Sequence, residues 1–345
     1  MEKILVALSG GVDSSMAAAF LRQNGYAVEG AIMIFFEGTA QKNLDYAQHV
    51  AETLNIPFHC FDFTEEFRKK IIVNFIEEYR NGRTPNPCVL CNQHIKFGLF
   101  VAKAEELGIQ RIATGHYACI ERRNGRYLLK KGIDVNEQSY FLYRLDQAQL
   151  SKIMLPLCSY TKVQVRKRAQ RLALPTARRR KSHDVCFIPH GDYATFLEKF
   201  LDETPGPIFD VQGNVIGEHQ GIFSYTYGQR RGIGISHTHP YYVMRIDPSQ
   251  NAIYVGKRRD VYQSELIAGD MHFIPFDNLD KPMGVQAKVR YFSAPSPATI
   301  VPLPAKKVRV IFTKPQWAIT PGQSVVFYKN DVVIGGGIIE TSSSG

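Results

Sequence analysis

Over roughly the first 120 residues, short apolar runs alternate with amphipathic stretches. Residues 4–8 (ILVAL), 28–36 (VEGAIMIFF), 57–63 (PFHCFDF) and 111–118 (RIATGHYA) read as strands, with 14–26, 44–55, 65–82 and 95–108 helical between them. Strands alternating with helices of ten or more residues predict an α/β domain built on a doubly wound parallel sheet. Residues 123–132 (RNGRYLLKKG) read as a hairpin with an Asn-Gly turn, and helical spacing returns from about 146 to 173. After Pro205-Gly206-Pro207, which reads as a linker, the period shortens to two, and glycines split short β runs. From about 265 onward, VQAKVRYF, PATIVPL, KKVRVIF and QSVVFYKNDVVIGGGII predict a C-terminal β-barrel. The expected organisation is a catalytic α/β domain over 1–200, a small central β-rich module over 201–262 and a β-barrel domain over 263–345.

Composition narrows the classes. At 345 residues and 44% hydrophobic, the chain is long enough for sizeable cores. No apolar run approaches the roughly 18 residues of a membrane span, and MEKILVALSGG has none of the features of a signal peptide. A cytoplasmic protein with no membrane partner is expected. Lys and Arg outnumber Asp and Glu by 42 to 32, a net charge of +10 that favours a polyanionic partner. Nine of the basic residues crowd between 161 and 185: Lys162, Arg166, Lys167, Arg168, Arg171, Arg178, Arg179, Arg180 and Lys181. The run is expected to track a phosphate backbone. Six cysteines are too sparse for a disulfide framework. Cys60, Cys119 and Cys158, in apolar contexts, are expected to be buried, unpaired thiols. His237-Thr238-His239 is expected to be loop.

The chemistry concentrates in three segments. Leu8-Ser9-Gly10-Gly11-Val12-Asp13-Ser14-Ser15 joins the first strand to the first helix. Two glycines let backbone N–H groups turn toward an anion, the helix N-terminus adds its dipole, and Asp13 is a candidate ligand for the Mg²⁺ that accompanies a nucleotide's phosphates. It is neither the Walker loop nor the dinucleotide loop. The second segment, Thr84-Pro85-Asn86-Pro87-Cys88-Val89-Leu90-Cys91-Asn92-Gln93-His94-Ile95-Lys96-Phe97, is expected to place Cys91 near a helix N-terminus with Lys96 nearby, two influences that favour a thiolate. Cys88-x-x-Cys91 alone is equally a redox pair, half a metal site or a coincidence. In the third segment, Cys186 follows four consecutive basic residues and His183.

SGGVDSS after the first strand resembles the pyrophosphate loop of the N-type ATP pyrophosphatases. With that loop, TPNPCVLCNQHIKFG, ATGHYA, QSYFL, DVCFI, YGQRRG and PGQ in order, nearly the whole chain resembles the tRNA-specific 2-thiouridylases of the MnmA type. The resemblance implies ATP cleaved between its α and β phosphates, the 2-oxygen of the wobble uridine (position 34) adenylated in tRNAs for Lys, Glu and Gln, and sulfur put in its place. It implies Cys186 as the persulfide carrier, loaded by a sulfur-relay donor, and Cys91 as the thiol that releases the sulfur. ATP is then expected on Ala7, Leu8, Ser9, Gly10, Gly11, Val12, Asp13, Ser14, Met33 and Gly115. The tRNA anticodon stem-loop is expected on Asn86, Pro87, Cys88, His116, Asn136, Glu137, Gln138, Arg290, Tyr291 and Gln323. Some members carry an acid where Cys88 stands, and relatives with three cysteines at these positions are proposed to hold a 4Fe–4S cluster, so Cys88, Cys91 and Cys186 are alternative cluster ligands. An amidating pyrophosphatase leaves Cys91 and Cys186 unexplained, and a non-catalytic RNA-binding protein leaves Ser9, Asp13 and both cysteines unexplained.

Overall fold

A computed structural model describes residues 1–36, 40–179, 185–188, 192–236 and 238–342. The chain divides into two compact units, one made of Met1–Ile71, Cys88–His183 and Asn330–Ile334, the other of Ile72–Pro87, Asp184–Lys329 and Gly335–Gly345.

The first unit is built on the expected parallel sheet. Its strands are β1 (Lys3–Ala7), β2 (Ala27–Ile34), β3 (Phe58–Asp62) and β4 (Arg111–Ala113), followed, after the hairpin β5 (Ala118–Arg123) and β6 (Arg126–Lys131), by β7 (Ile153–Met154). Their order is β3-β2-β1-β4-β7, with Ile4 paired to both Val28 and Arg111. The chain leaves β1 for β2 on one side while β4 lies on the other. The carboxyl end of β1 is therefore the topological switch point, where open α/β sheets bind their ligands. Helix α1 (Val12–Gln23) starts after a four-residue loop following β1. Its Met16, Ala17 and Ala18 are fully buried with Ile4 and Val6, and with Val165 and Ala169 of the helix Lys162–Arg171. Small alanines let these elements approach closely, so the geometry around the first loop is fixed by core packing. The Asn-Gly hairpin forms as expected, with Asn124 and Gly125 both at positive φ.

In the second unit, β8 (Gly206–Phe209), β9 (Val215–His219), β10 (Tyr242–Asp247) and β11 (Ala252–Gly256) form a four-stranded sheet in the order β10-β11-β8-β9. Pro205-Gly206-Pro207 is thus not simply a linker, since Gly206 opens a paired strand. Asn251 Nδ2 donates to Thr204 O and Pro205 O at 3.1 and 3.0 Å, which docks the segment against the sheet. Strands β12 (Tyr262–Phe273), β13 (Met283–Lys288), β14 (Ser296–Leu303), β15 (Lys307–Trp317), β16 (Ser324–Lys329) and β17 (Val332–Ser342, from Gly335 in this unit) follow. They run in the order β12-β15-β14-β13-β16-β17, and β12 also pairs with β17, so the expected barrel closes. No described helix is long and apolar enough to cross a membrane.

The cysteine expectations need two corrections. Cys119, at the start of β5, and Cys158, in the turn after β7, form a disulfide across 39 residues. Closing a loop of that size removes enough freedom from the unfolded chain to add about 4 kcal/mol of stability. Cys60 is exposed, because β3 is the edge strand of its sheet and its outward side chains meet solvent.

Candidate active site

The loop after β1 is held by short hydrogen bonds. Ser9 N donates to Ser14 Oγ at 3.1 Å, and Ser14 Oγ and Ser15 Oγ donate to Gly11 O at 3.0 and 2.9 Å. Gly10 sits at φ +70°, and a Cβ there would lie 2.7 Å from Arg179 Nη1 and 2.8 Å from Asn43 O. Only glycine suits both demands. Among the described residues, no side chain caps α1 at Gly11. A first turn without a side-chain cap is the kind of helix start that suits an anion.

Residues outside the motif complete this site. Arg179 Nη1 donates to Gly10 O at 2.6 Å, Nη2 donates to Asn43 Oδ1 at 2.5 Å, and the guanidinium lies 4.5 Å from the Tyr46 ring centre. Thr176 Oγ1 donates to Ser15 Oγ at 2.9 Å. Tyr117, kept protonated by burial and by the neighbouring carboxylate, donates to Asp13 Oδ1 at 2.6 Å. Lys162 Nζ stands 3.7 Å from Asp13 Oδ2. Asp13 is therefore a hub between two side chains. Gly115, just past β4, presses on the same turn, where a Cβ would lie 2.6 Å from Asp13 C and Ser14 N. Met33 is half-buried at the penultimate position of β2, two residues beyond the Ala7–Ala31 pair that ends the register with β1. Ala7 to Ser14, Met33 and Gly115 thus share one end of the sheet. Sequence reasoning missed Asn43, Tyr117, Lys162, Thr176 and Arg179. Tyr117 belongs to the ATGHYA motif, but the two cations were legible only as members of a basic run.

That run is less uniform than expected. Lys162 and Arg179 turn toward the loop, and Arg168 lies 4.9 Å from the Tyr160 ring centre and 5.5 Å from that of Phe20. Lys167, Arg171 and Arg178 are exposed. Arg180, Lys181, Ser182, His183, Asp184 and His237 lie outside the described residues.

The Cys91 thiol differs from expectation. A helix begins at Pro87 and runs on past Cys91 through a π-helical stretch, Asn92–Leu99. Cys91 therefore lies a full turn inside, and Cys88 is the thiol at the N-terminus. Cys91 is only 5% exposed. Burial pushes its pKa up to about 11, with Lys96 pulling down less and Cys88 adding a smaller upward push. Burial also raises Cys88, against Lys96. A raised thiol pKa means the neutral form persists until pH climbs toward that value, so Cys91 of the unliganded protein is protonated at neutral pH. At pH 8, Cys91 should be alkylated by iodoacetamide at least ~100-fold more slowly than exposed Cys186, accelerating about tenfold per pH unit up to pH 10. Peptide mass spectrometry of timed quenches reads this, and equal rates at pH 8 would refute the protonated-thiol assignment.

His116 is half-buried. Desolvation, with a smaller push from Lys96, lowers its pKa to about 3, so the ring is neutral. Its Nδ1 is 2.7 Å from Thr114 Oγ1, and its ring centre is 5.5 Å from that of Phe97. Asn136-Glu137-Gln138 sits beside Tyr117: Gln138 Oε1 accepts from Tyr117 N at 3.0 Å, and Gln138 N donates to Tyr117 O at 2.8 Å. In the second unit Cys186 is an exposed thiol outside any disulfide, on a turn anchored by buried Phe187 and Ile188, with Phe187 5.3 Å from Phe75. Among the described residues, no three His, Cys, Asp or Glu side chains gather into a metal-binding group.

Four of the expected RNA contacts converge in the second unit. Asn86, Arg290, Tyr291 and Gln323 line one pocket of about 640 Å³ with Thr84 and Trp317. Gln323 Nε2 donates to Thr84 O at 3.0 Å and Pro85 O at 3.3 Å, which sets the loop leading to Asn86 and Pro87. Arg290 Nη2 donates to Tyr227 O, Ala318 O and Thr320 Oγ1, so the guanidinium braces the pocket wall. Phe292, which sequence reasoning did not single out, lines the same pocket and is 88% exposed.

Comparison with known proteins agrees with this architecture. Family models described as tRNA methyl transferase HUP domain, tRNA methyl transferase PRC-barrel domain and Aminomethyltransferase beta-barrel domain match residues 2–190, 194–257 and 263–339. The tRNA-specific 2-thiouridylase MnmA of Acetivibrio thermocellus is 45% identical over 98% of this chain and 99% of its own length. That of Caldicellulosiruptor saccharolyticus is 45% identical over 98% of each. Among solved structures, a 4-thiouridine synthetase in complex with RNA and ATP aligns at 14% identity and a TM-score of 0.33, over 57% of this chain and 50% of its own, too slight a likeness to carry any argument. With close identity running the full length of such relatives, the chain belongs to the tRNA-specific 2-thiouridylase (MnmA) family of sulfurtransferases.

Proposed function

We propose that this protein is an ATP-dependent tRNA 2-thiouridylase acting in the cytoplasm on uridine 34 of tRNAs for Lys, Glu and Gln. The observation that carries the reading is the full-length likeness to MnmA relatives together with a pyrophosphate-loop turn, Cys91 and Cys186 in one chain. The loop from Ala7 to Ser14, with Met33 and Gly115, binds ATP with Mg²⁺. The uridine O2 attacks the α-phosphorus, pyrophosphate leaves, and the 2-oxygen becomes part of an AMP leaving group. Cys186 carries a persulfide delivered by a sulfur-relay donor or a cysteine desulfurase. Its terminal sulfur adds to C2, and AMP departs with the oxygen. Cys91 then attacks the inner sulfur of Cys186, breaking the S–S bond and leaving the thiocarbonyl on the base and a Cys91–Cys186 disulfide. An external thiol reductant resets the pair. The two cysteine electrons reduce the transferred sulfur, so the step balances.

Buried, protonated Cys91 supports a thiol that waits in neutral form and ionises only when tRNA rearranges its surroundings. Asn86, Pro87, Cys88, His116, Asn136, Glu137, Gln138, Arg290, Tyr291 and Gln323 contact the anticodon stem-loop, with open aromatic rings such as Phe292 available for base stacking. A second reading is favoured by one observation: Cys88 and Cys91 stand one helical turn apart, so with Cys186 they would be the thiolates to hold a 4Fe–4S cluster, which would supply sulfide-carrying chemistry. Iron and sulfide analysis after anaerobic purification separates the two readings. The test of the function is pyrophosphate release and 2-thiouridine formation with ATP, a sulfur source and unmodified tRNA. Stimulation of both by tRNA is expected; neither stimulation nor thiouridine would sink the proposal.

A further inference from the structure

The helix that carries Cys88 and Cys91 changes its hydrogen-bonding period directly after Cys91. Over Asn92–Leu99 it is π-helical, and at its end Phe100 N–H donates to Ile95 O, five residues back. Such turns are rare inside α-helices and are frequent at functional sites. In an α-helix, residues five apart point roughly 140° away from each other. Bonds from i to i+5 bring them toward one side instead. Cys91 and Lys96 are such a pair, and beneath the larger effect of burial the Lys96 charge pulls down the Cys88, Cys91 and His116 pKa values alike. The thiouridylase reading gives Gln149 no role, yet it grips this stretch. Its Nε2 donates to Gln93 O at 2.9 Å and to Phe97 O at 3.0 Å, two carbonyls one turn apart. Asn92 Nδ2 donates to Phe141 O at 3.1 Å and Arg144 Nε to Gln93 Oε1 at 2.7 Å, tying down the same turn. Gln149 is itself immobilised. Asp146 N donates to its Oε1 at 3.2 Å and its own N–H donates to Asp146 Oδ1 at 2.7 Å, a capping box on the helix Gln147–Ser151, whose Leu150 is fully buried.

We propose that Gln149 is a positioning residue for sulfur transfer: by holding Gln93 O and Phe97 O it keeps the helix in the π register that sets Cys91 and Lys96 on one side. The proposal rests on the thiouridylase reading, in which Cys91 releases the sulfur. Without the Gln149 amide both carbonyls lose a donor, and the stretch relaxes toward ordinary i to i+4 bonding, which turns Lys96 away from Cys91. Gln147, two residues earlier on the same short helix, offers a built-in comparison. Its amide also makes two bonds, accepting from Tyr127 N at 2.8 Å and donating to Tyr127 O at 2.9 Å, but on the hairpin strand β6 rather than on the cysteine helix.

The test compares steady-state thiolation, with ATP, a sulfur source and unmodified tRNA, by the wild-type protein, Gln149→Leu and Gln147→Leu. A small misplacement of a reacting group is expensive, so Gln149→Leu should lower kcat roughly 10- to 100-fold while KM for ATP and for tRNA stays within about threefold. Gln147→Leu loses as many hydrogen bonds and should keep kcat within about twofold. Hydrogen exchange of the peptide spanning 92–100, read by mass spectrometry, reports the register directly. It should quicken in Gln149→Leu and hold the wild-type rate in Gln147→Leu. An unchanged kcat for Gln149→Leu, an equal loss in Gln147→Leu, or unaltered exchange over 92–100 would overturn the proposal. Wild-type protein that makes no thiouridine would instead sink the thiouridylase reading, and the exchange measurement, which needs no activity, would still test the clamp. Should Gln149→Leu protein fail to fold, Gly98→Ala probes the same turn, because a Cβ there would sit 3.1 Å from Gln93 O. It should lower kcat with little change in either KM, and an unchanged kcat overturns the proposal.

Discussion

Replacing Cys186 with serine is expected to abolish 2-thiouridine formation while leaving the fold, tRNA binding and ATP-dependent pyrophosphate release intact. The reasoning is local. Cys186 is exposed, so its sulfur contributes little packing, and the turn that carries it is held by buried Phe187 and Ile188. An exposed substitution of this kind moves stability by no more than about 0.5 kcal/mol. A serine hydroxyl cannot hold a persulfide, so sulfur never reaches the activated carbon, and the loss is complete rather than partial. Cys91→Ser gives the informative contrast, because Cys186 should still accept one sulfur from the donor and then stall. Mass spectrometry of the Cys186 peptide after incubation with a persulfide donor distinguishes the two variants, and thiouridine made by Cys186→Ser protein would refute the carrier assignment.

Gly115→Ala is expected to be nearly as damaging by a different route. A Cβ at this position lies 2.6 Å from Asp13 C and Ser14 N and 2.9 Å from Asp13 O. All three are backbone atoms, so no side chain can swing aside, and the turn itself must move. Overpacking of this kind costs about 1–3 kcal/mol, and the displacement falls on the loop that is to hold phosphate. ATP affinity should drop about 10- to 100-fold, since each 1.4 kcal/mol is a factor of ten. Gly284→Ala is the control: nothing lies within 4 Å of its Cβ, and it should change neither stability nor ATP binding measurably. Equal ATP affinity for Gly115→Ala and wild type, from calorimetric titration, would show that the loop tolerates the shift and that the contact does not govern the site.

The contrast between these two positions reflects what a sequence can and cannot express. The parallel sheet, the Asn-Gly hairpin and the barrel were legible because each follows from a local period or a turn residue. The tight turn after β1 was legible because its glycines and hydroxyls act through the backbone of one short segment. Burial is a property of the whole core, which is why Cys91 reads as an activated thiol in sequence and sits as a protonated one in the fold. The Cys119–Cys158 bridge joins positions that become neighbours only once β5 and the turn after β7 are placed. Lys162 and Arg179 have the same formal charge in the same basic run, yet one meets a carboxylate and the other a backbone carbonyl. Nothing in the order of residues distinguishes them. The two-residue strand β7 is too short to carry any period, and Gly206 pairs in a sheet despite flanking prolines because Asn251 holds the preceding carbonyls.

The bridge between Cys119 and Cys158 also determines what happens to a damaged molecule. Between the two cysteines lies the hairpin tip, where Arg122, Arg123, Asn124 and Gly125 are exposed, the kind of site at which proteases nick folded proteins. A cut there leaves both halves of the first unit covalently joined, with the sheet, the loop after β1 and the Asn136–Gln138 turn still on one molecule. Only reduction turns such a nick into two fragments, so the same wound is silent in oxidising surroundings and terminal in reducing ones.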